Sequence, residues 1–118
     1  METVETTILR NLLFNNDYCR NVLPFIKGEY FENLHEKVVF DEISKFISAY
    51  EKLATKEVLL IEAENRTDIT EDTYRIICEY VSSLDDTAAD QQWLEDTTEK
   101  WCRDRAIYLA LMESIKIA

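Results

Sequence analysis

One glycine, one proline and one histidine in 118 residues exclude more than they allow. A phosphate-cradling loop needs glycines that let the backbone close on an anion, and Gly28 stands alone. β-Hairpins turn on Asn-Gly, Asp-Gly and related pairs, so a sheet protein would have almost nothing here to turn with. A metal site or nucleophilic triad that uses imidazole can draw only on His35, and no H-E-x-x-H motif is present. The three cysteines, Cys19, Cys78 and Cys102, are an odd number at wide spacing with no C-x-x-C pair. They read as reduced, packed thiols rather than as a disulfide or zinc framework.

Long apolar runs are also missing. The longest, Ala106 to Met112, falls well short of the roughly 18 residues that cross a bilayer. The opening residues Met1-Glu2-Thr3-Val4-Glu5 carry neither the positive segment nor the cleavage site of a secretory signal, so the expected location is the cytoplasm. Positive charge is scarce: 13 Lys and Arg stand against 24 Asp and Glu, a net charge of -11. That field repels a phosphate backbone, and the basic residues are scattered rather than gathered into a stripe. Little direct nucleic-acid binding is expected; a protein partner, one with a basic face, suits the charge better.

What is present is enough apolar surface to offset the entropy of ordering the chain. With 47% hydrophobic and 31% charged residues the composition is globular, and the length suits one domain over residues 1-118. The fold class expected is all-α, a compact bundle of about six helices. Thr3 caps a first helix with the stripe Val4, Ile8, Leu12 and Leu13, which ends near Asn15-Asn16. A short helix follows from about Asp17 to Val22 and stops at Pro24. The third runs from about Leu34 to Leu53, with Val39, Ile43, Phe46, Ile47 and Tyr50 on one face. Thr55 caps a fourth, Lys56 to Asn65, and Thr70 a fifth whose stripe is Tyr74, Ile77, Val81 and Leu84.

After the acidic linker from Asp85 to Asp90, a last helix can run over about 91-118, ~40 Å at 1.5 Å per residue. Leu94, Trp101, Tyr108 and Ile115 recur every seven residues along it, with Leu111 and Met112 in adjoining positions. Its first half carries Glu95, Asp96, Glu99 and Lys100, whereas Ile107 to Met112 is apolar almost all round. A helix apolar on every side must be covered on every side. Five short helices can close one core without it, so the end of the last helix awaits a partner, its own copy or a continuation of the chain.

Chemistry has little to work with. Glu32-x-x-His35 has the ligand spacing of di-iron bundle proteins, but that site needs a second such pair and two further glutamates. The plain reading is a histidine near a helix start that packs and makes one hydrogen bond. The 24 carboxylates are too many for any two to stand out as an acid and base, and read as solvated helix faces. No catalytic, cofactor-binding or metal-ligating residue is assigned. Trp93 and Trp101, eight apart, fall near one helical face and read as core or interface anchors. Stacking on single-stranded bases would need more positive charge than Lys100, Arg103 and Arg105 supply.

Glu5-Thr6-Thr7-Ile8-Leu9-Arg10-Asn11-Leu12-Leu13-Phe14 resembles the opening helix of the DnaB-type replicative DNA helicases. Tyr30-Phe31 followed by His35 and Val38-Val39 resembles the aromatic pair, histidine and apolar pair that open that family's third helix. The stretch from Trp93-Leu94 through Arg105-Ala106 to Ile115 resembles the T-even bacteriophage members in particular. Val39 stands where an aromatic is common in the family, and Arg10-Asn11 where many members have small residues.

The resemblance implies a non-catalytic N-terminal collar domain of a hexameric helicase, which associates with its copies, receives primase and can meet a helicase loader. ATP and magnesium would belong only to a RecA-like motor that this chain lacks. The last helix would be the first arm of a helical hairpin, cut before its return arm. Trp101, Tyr108, Leu111, Met112 and Ile115 are the candidate association residues. The alternative is a free-standing acidic protein that imitates DNA charge, or a helical adaptor, acting on a host protein.

Overall fold

The computed structural model describes residues 2–117 as six α-helices and two short 3-10 turns. Met1 and Ala118, the ends of the expected 1-118 domain and of the expected last helix, lie outside the described residues. Helix α1 (Val4–Phe14) starts where the Thr3 hydroxyl accepts a hydrogen bond from the Thr6 backbone N–H at 3.1 Å. It buries Ile8, Leu9, Leu12 and Leu13. Asn15 ends it in an extended conformation and caps the next helix, α2 (Asn16–Val22), by accepting from the Tyr18 N–H. One residue thus makes the corner without a glycine.

Helix α2 ends at Val22, as expected ahead of Pro24. The proline sits inside a 3-10 turn, Leu23–Phe25, near the turn's start, where the N–H it lacks is not needed. A second 3-10 turn, Gly28–Tyr30, brings Gly28 close to α3 (Leu34–Tyr50). A methyl group on Gly28 would come within 2.9 Å of an Asp41 carboxylate oxygen, so the glycine allows this approach.

Helix α3 stops at Tyr50 rather than at Leu53. Glu51 adopts the left-handed conformation, φ 55°, and its N–H closes the last turn on the Ile47 carbonyl. Val39 and Ile43 are buried as expected, while Tyr50, at the frayed end of the stripe, faces solvent. Thr55 and Thr70 cap α4 (Lys56–Glu64) and α5 (Glu71–Ser83), accepting from Val58 N–H and Thr73 N–H. From the α5 stripe, Ile77 and Val81 are buried, with Leu84 just beyond the helix end.

Helices α1 and α3 pack on each other at the middle of the molecule. α4 and α5 cover α3, and α2 and α6 (Gln91–Ile117) lie against α1. The buried apolar residues form one continuous cluster, from Ile8 in α1 to Cys102 in α6. Buried charge is neutralised locally: Arg66 reaches the Glu42 carboxylate at 2.7 Å, and Tyr80 and Asn33 donate to Glu36. Among the described residues no helix is long and apolar enough to cross a membrane.

Candidate functional site

Helix α6 holds the residues singled out by the sequence, and its position is set from its N-terminal end. Asp90 caps it, the carboxylate accepting the Trp93 N–H at 2.9 Å, which gives the linker's last acidic residue a definite structural task. Further back, the Arg10 guanidinium binds the Glu2 carboxylate at 2.9 Å and also donates to the Thr87 carbonyl. Arg10 therefore ties the chain's start and the α5–α6 linker to one point on α1.

Beyond the cap, α6 runs along the core. Leu94 and Thr98 are fully buried; the Thr98 hydroxyl donates to the Leu94 carbonyl and meets the Tyr18 hydroxyl at 2.6 Å. Burial pushes the Tyr18 phenol well above its ordinary range, so it remains a neutral donor. Burial likewise lifts the Cys102 thiol to about 11 and the Cys19 thiol to about 11. Both are packed thiols rather than nucleophiles.

Trp101 is only 9% exposed. Its ring packs on Phe31, centroids 4.9 Å apart, and edge-on to Tyr30 at 5.9 Å, while its N–H donates to Glu5 at 3.3 Å. Of the candidate association residues, Trp101 is the one whose side chain lies in the core. Trp93, expected near the same face, is 54% exposed, so the two indoles sit in different surroundings. An eight-residue step rotates the helix by about 80°, enough to move a ring from core to solvent.

The boundary falls at Arg105. Its guanidinium donates to the Tyr30 carbonyl at 2.6 Å and to Glu32 at 3.1 Å, and lies 5.0 Å from the Tyr108 ring centre. Past it, most of the helix's described large apolar side chains turn to solvent. Tyr108, Leu111, Met112 and Ile115 are between 40% and 67% exposed, and Ile107, not among the expected residues, is 54% exposed. Among the described side chains of this half, Leu109 is a large apolar residue that remains partly packed on the core. Five large exposed apolar side chains in so short a stretch are more than the single apolar residues common on a protein surface.

Other constellations resolve into structure. Glu32 is held by Arg105, and the His35 ring lies edge-on to Tyr80 at 4.8 Å, so the two turn to different partners. Among the described residues, no group of three or more His, Cys, Asp or Glu side chains is arranged to hold a metal ion. Of the basic residues near the tryptophans, Lys100 pairs with Asp104 at 3.1 Å and Arg105 with Glu32.

No family model and no solved structure matches the chain. Among curated proteins it is 32% identical over 110 residues to the DnaB-like replicative helicase of Enterobacteria phage T4. The alignment covers 93% of this chain and 23% of that protein, so the chain spans about a quarter of the relative's length.

Proposed function

We propose, from this homology to part of a phage DnaB-like replicative helicase, that the chain is the non-catalytic collar domain of such a helicase. It mediates association between copies and docks primase during phage DNA replication in the host cytoplasm. Its 118 residues contain no motor domain. ATP hydrolysis with magnesium therefore lies outside them, and this segment contributes assembly and recruitment. The exposed half of α6 is the association surface, with Tyr108, Leu111, Met112 and Ile115 as its core and Ile107 beside them.

The observation that carries this reading is the 32% identity across nearly the whole chain. The exposed end of α6 supports the association role, since single apolar side chains are ordinary on a surface but five large ones within three turns are not. Primase, and a helicase loader where one exists, are partners proposed on the homology. The DNA-mimic alternative rests only on the net charge of -11.

Sedimentation velocity of the protein mixed with the primase encoded by the same genome tests recruitment. A complex whose formation is lost when the helicase segment is replaced by an unrelated acidic helical domain supports it. Independent sedimentation of the two proteins, over micromolar to tens of micromolar concentrations, would contradict it.

A further inference from the structure

A second surface lies apart from the end of α6. Phe25, at 71%, is the most exposed large hydrophobic side chain among the described residues. It sits on the 3-10 turn that contains Pro24, beside a cavity of about 500 Å³ between that turn and α6. The floor is made of Val22, Tyr30, Thr98 and Cys102, all buried, and Ala106 continues it along α6. Cys102 and Ala106, which line the cavity together with Phe25, carry short side chains.

The rim is charged in a definite order. Glu95 accepts from Asn21 at 2.9 Å and from Gln91 at 3.2 Å, so neutral donors already occupy both its oxygens. Glu99 and Arg103 line the same groove, exposed, and neither has an ion-pair partner among the described residues. They lie one helical turn apart, about 6 Å along the axis. An occupant therefore meets a negative charge and a positive charge at helical spacing, with apolar surface between them and Phe25. The chain's charge of -11 favours a partner segment that is basic on balance.

We propose that this groove receives a short, basic amphipathic helix of a partner protein. The helix sets a leucine-like side chain against Phe25 and over Cys102 and Ala106, a lysine or arginine at Glu99 and a carboxylate at Arg103. An α-helix suits the site because residues four apart on one face match the Glu99–Arg103 spacing, while the next apolar residue faces the floor. The proposal stands on the groove itself and does not depend on the helicase reading.

The test is titration of the 15N-labelled protein with a synthetic helix of roughly fourteen residues, about four turns. The helix is built from Ala, Leu, Lys and Glu, with leucines on one face and lysine and glutamate four apart. A second peptide replaces every lysine with glutamate. Saturable shifts at residues 21–25, Tyr30 and 95–106 are expected with the basic peptide, and weaker ones with the acidic peptide. Phe25→Ala, at an exposed position that leaves the core intact, should weaken binding ~10-fold as expected for an aromatic anchor. Glu99→Lys should narrow the preference between the two peptides, because the chain as a whole stays acidic. Shifts confined to residues 107–116, no saturable shifts at millimolar peptide, or binding unaffected by Phe25→Ala would each overturn the proposal.

Discussion

The two halves of α6 share one sequence pattern and meet opposite fates. Leu94 and Trp101 occupy the seven-residue stripe in the first half and are buried; Tyr108 and Ile115 continue the stripe in the second and are exposed. Periodicity fixes which residues share a face of a helix, but the neighbours decide whether that face is core. In the first half the neighbours are α1, α2 and the Gly28–Tyr30 turn. In the second, Lys27, Glu29 and Tyr30 still line a cavity with Leu109 and Met112, but most large apolar side chains lose their cover. The helix is ~40 Å long at 1.5 Å per residue and longer than the helices α1 and α2 packed on it.

If that contrast is right, substitutions in the two halves separate stability from association. Trp101→Ala removes a ring packed on Tyr30 and Phe31 and should cost about 3–5 kcal/mol in urea denaturation, enough to approach unfolding for a small domain. Thr98→Val keeps the shape but takes from the Tyr18 hydroxyl its buried partner, and should cost about 1–3 kcal/mol in the same assay. Arg105→Ala, at the boundary, loses two charge-assisted hydrogen bonds, and about 1–2 kcal/mol is expected. Amide exchange should then quicken beyond residue 105 before it changes in the first half.

Smaller effects sharpen the same contrast. Glu2 and Arg10 help fix the linker that leads into α6, and the Arg10 hydrogen bond holds the Glu2 carboxyl below its ordinary value of 4.5. A carboxyl lowered on folding adds stability that is present above its unfolded value and disappears as pH falls through the lowered folded value. The denaturation midpoint should therefore fall on acidification below about pH 4.5, and Glu2→Gln should make that fall shallower. The pair is half open to water, so the change is modest. Tyr108→Asp with Met112→Asp, both on exposed positions, should alter monomer stability least, within ~0.5 kcal/mol as surface changes do.

Much of the fold was legible because its signals are local. Thr3, Thr55 and Thr70 begin helices where a threonine precedes an apolar period, and each hydroxyl accepts the backbone N–H three residues on. The end of α3 was not legible. Glu51 takes a left-handed conformation usually left to glycine or asparagine, and nothing in the residue type announces it. The Asp90 cap was hidden in a stretch that read only as an acidic linker.

The candidate site was legible in outline. An apolar stretch at the end of α6 pointed to Tyr108, Leu111, Met112 and Ile115 directly. Trp93 and Trp101 read alike in the sequence and separate in the structure because which indole meets Phe31 depends on the turn after Gly28, a contact distant in sequence. Arg10, Glu36, Glu42 and Arg66 looked like surface charge for the same reason: their partners come from other segments of the chain. Phe25 gave no signal, since an apolar residue after proline is expected to pack.

Sedimentation equilibrium of the native chain beside the Tyr108→Asp, Met112→Asp variant tests the division of α6 most directly. The account predicts concentration-dependent association of the native chain, and a monomeric variant with an unchanged denaturation midpoint. Equal association of the two, or a native chain that stays monomeric at hundreds of micromolar, would contradict it.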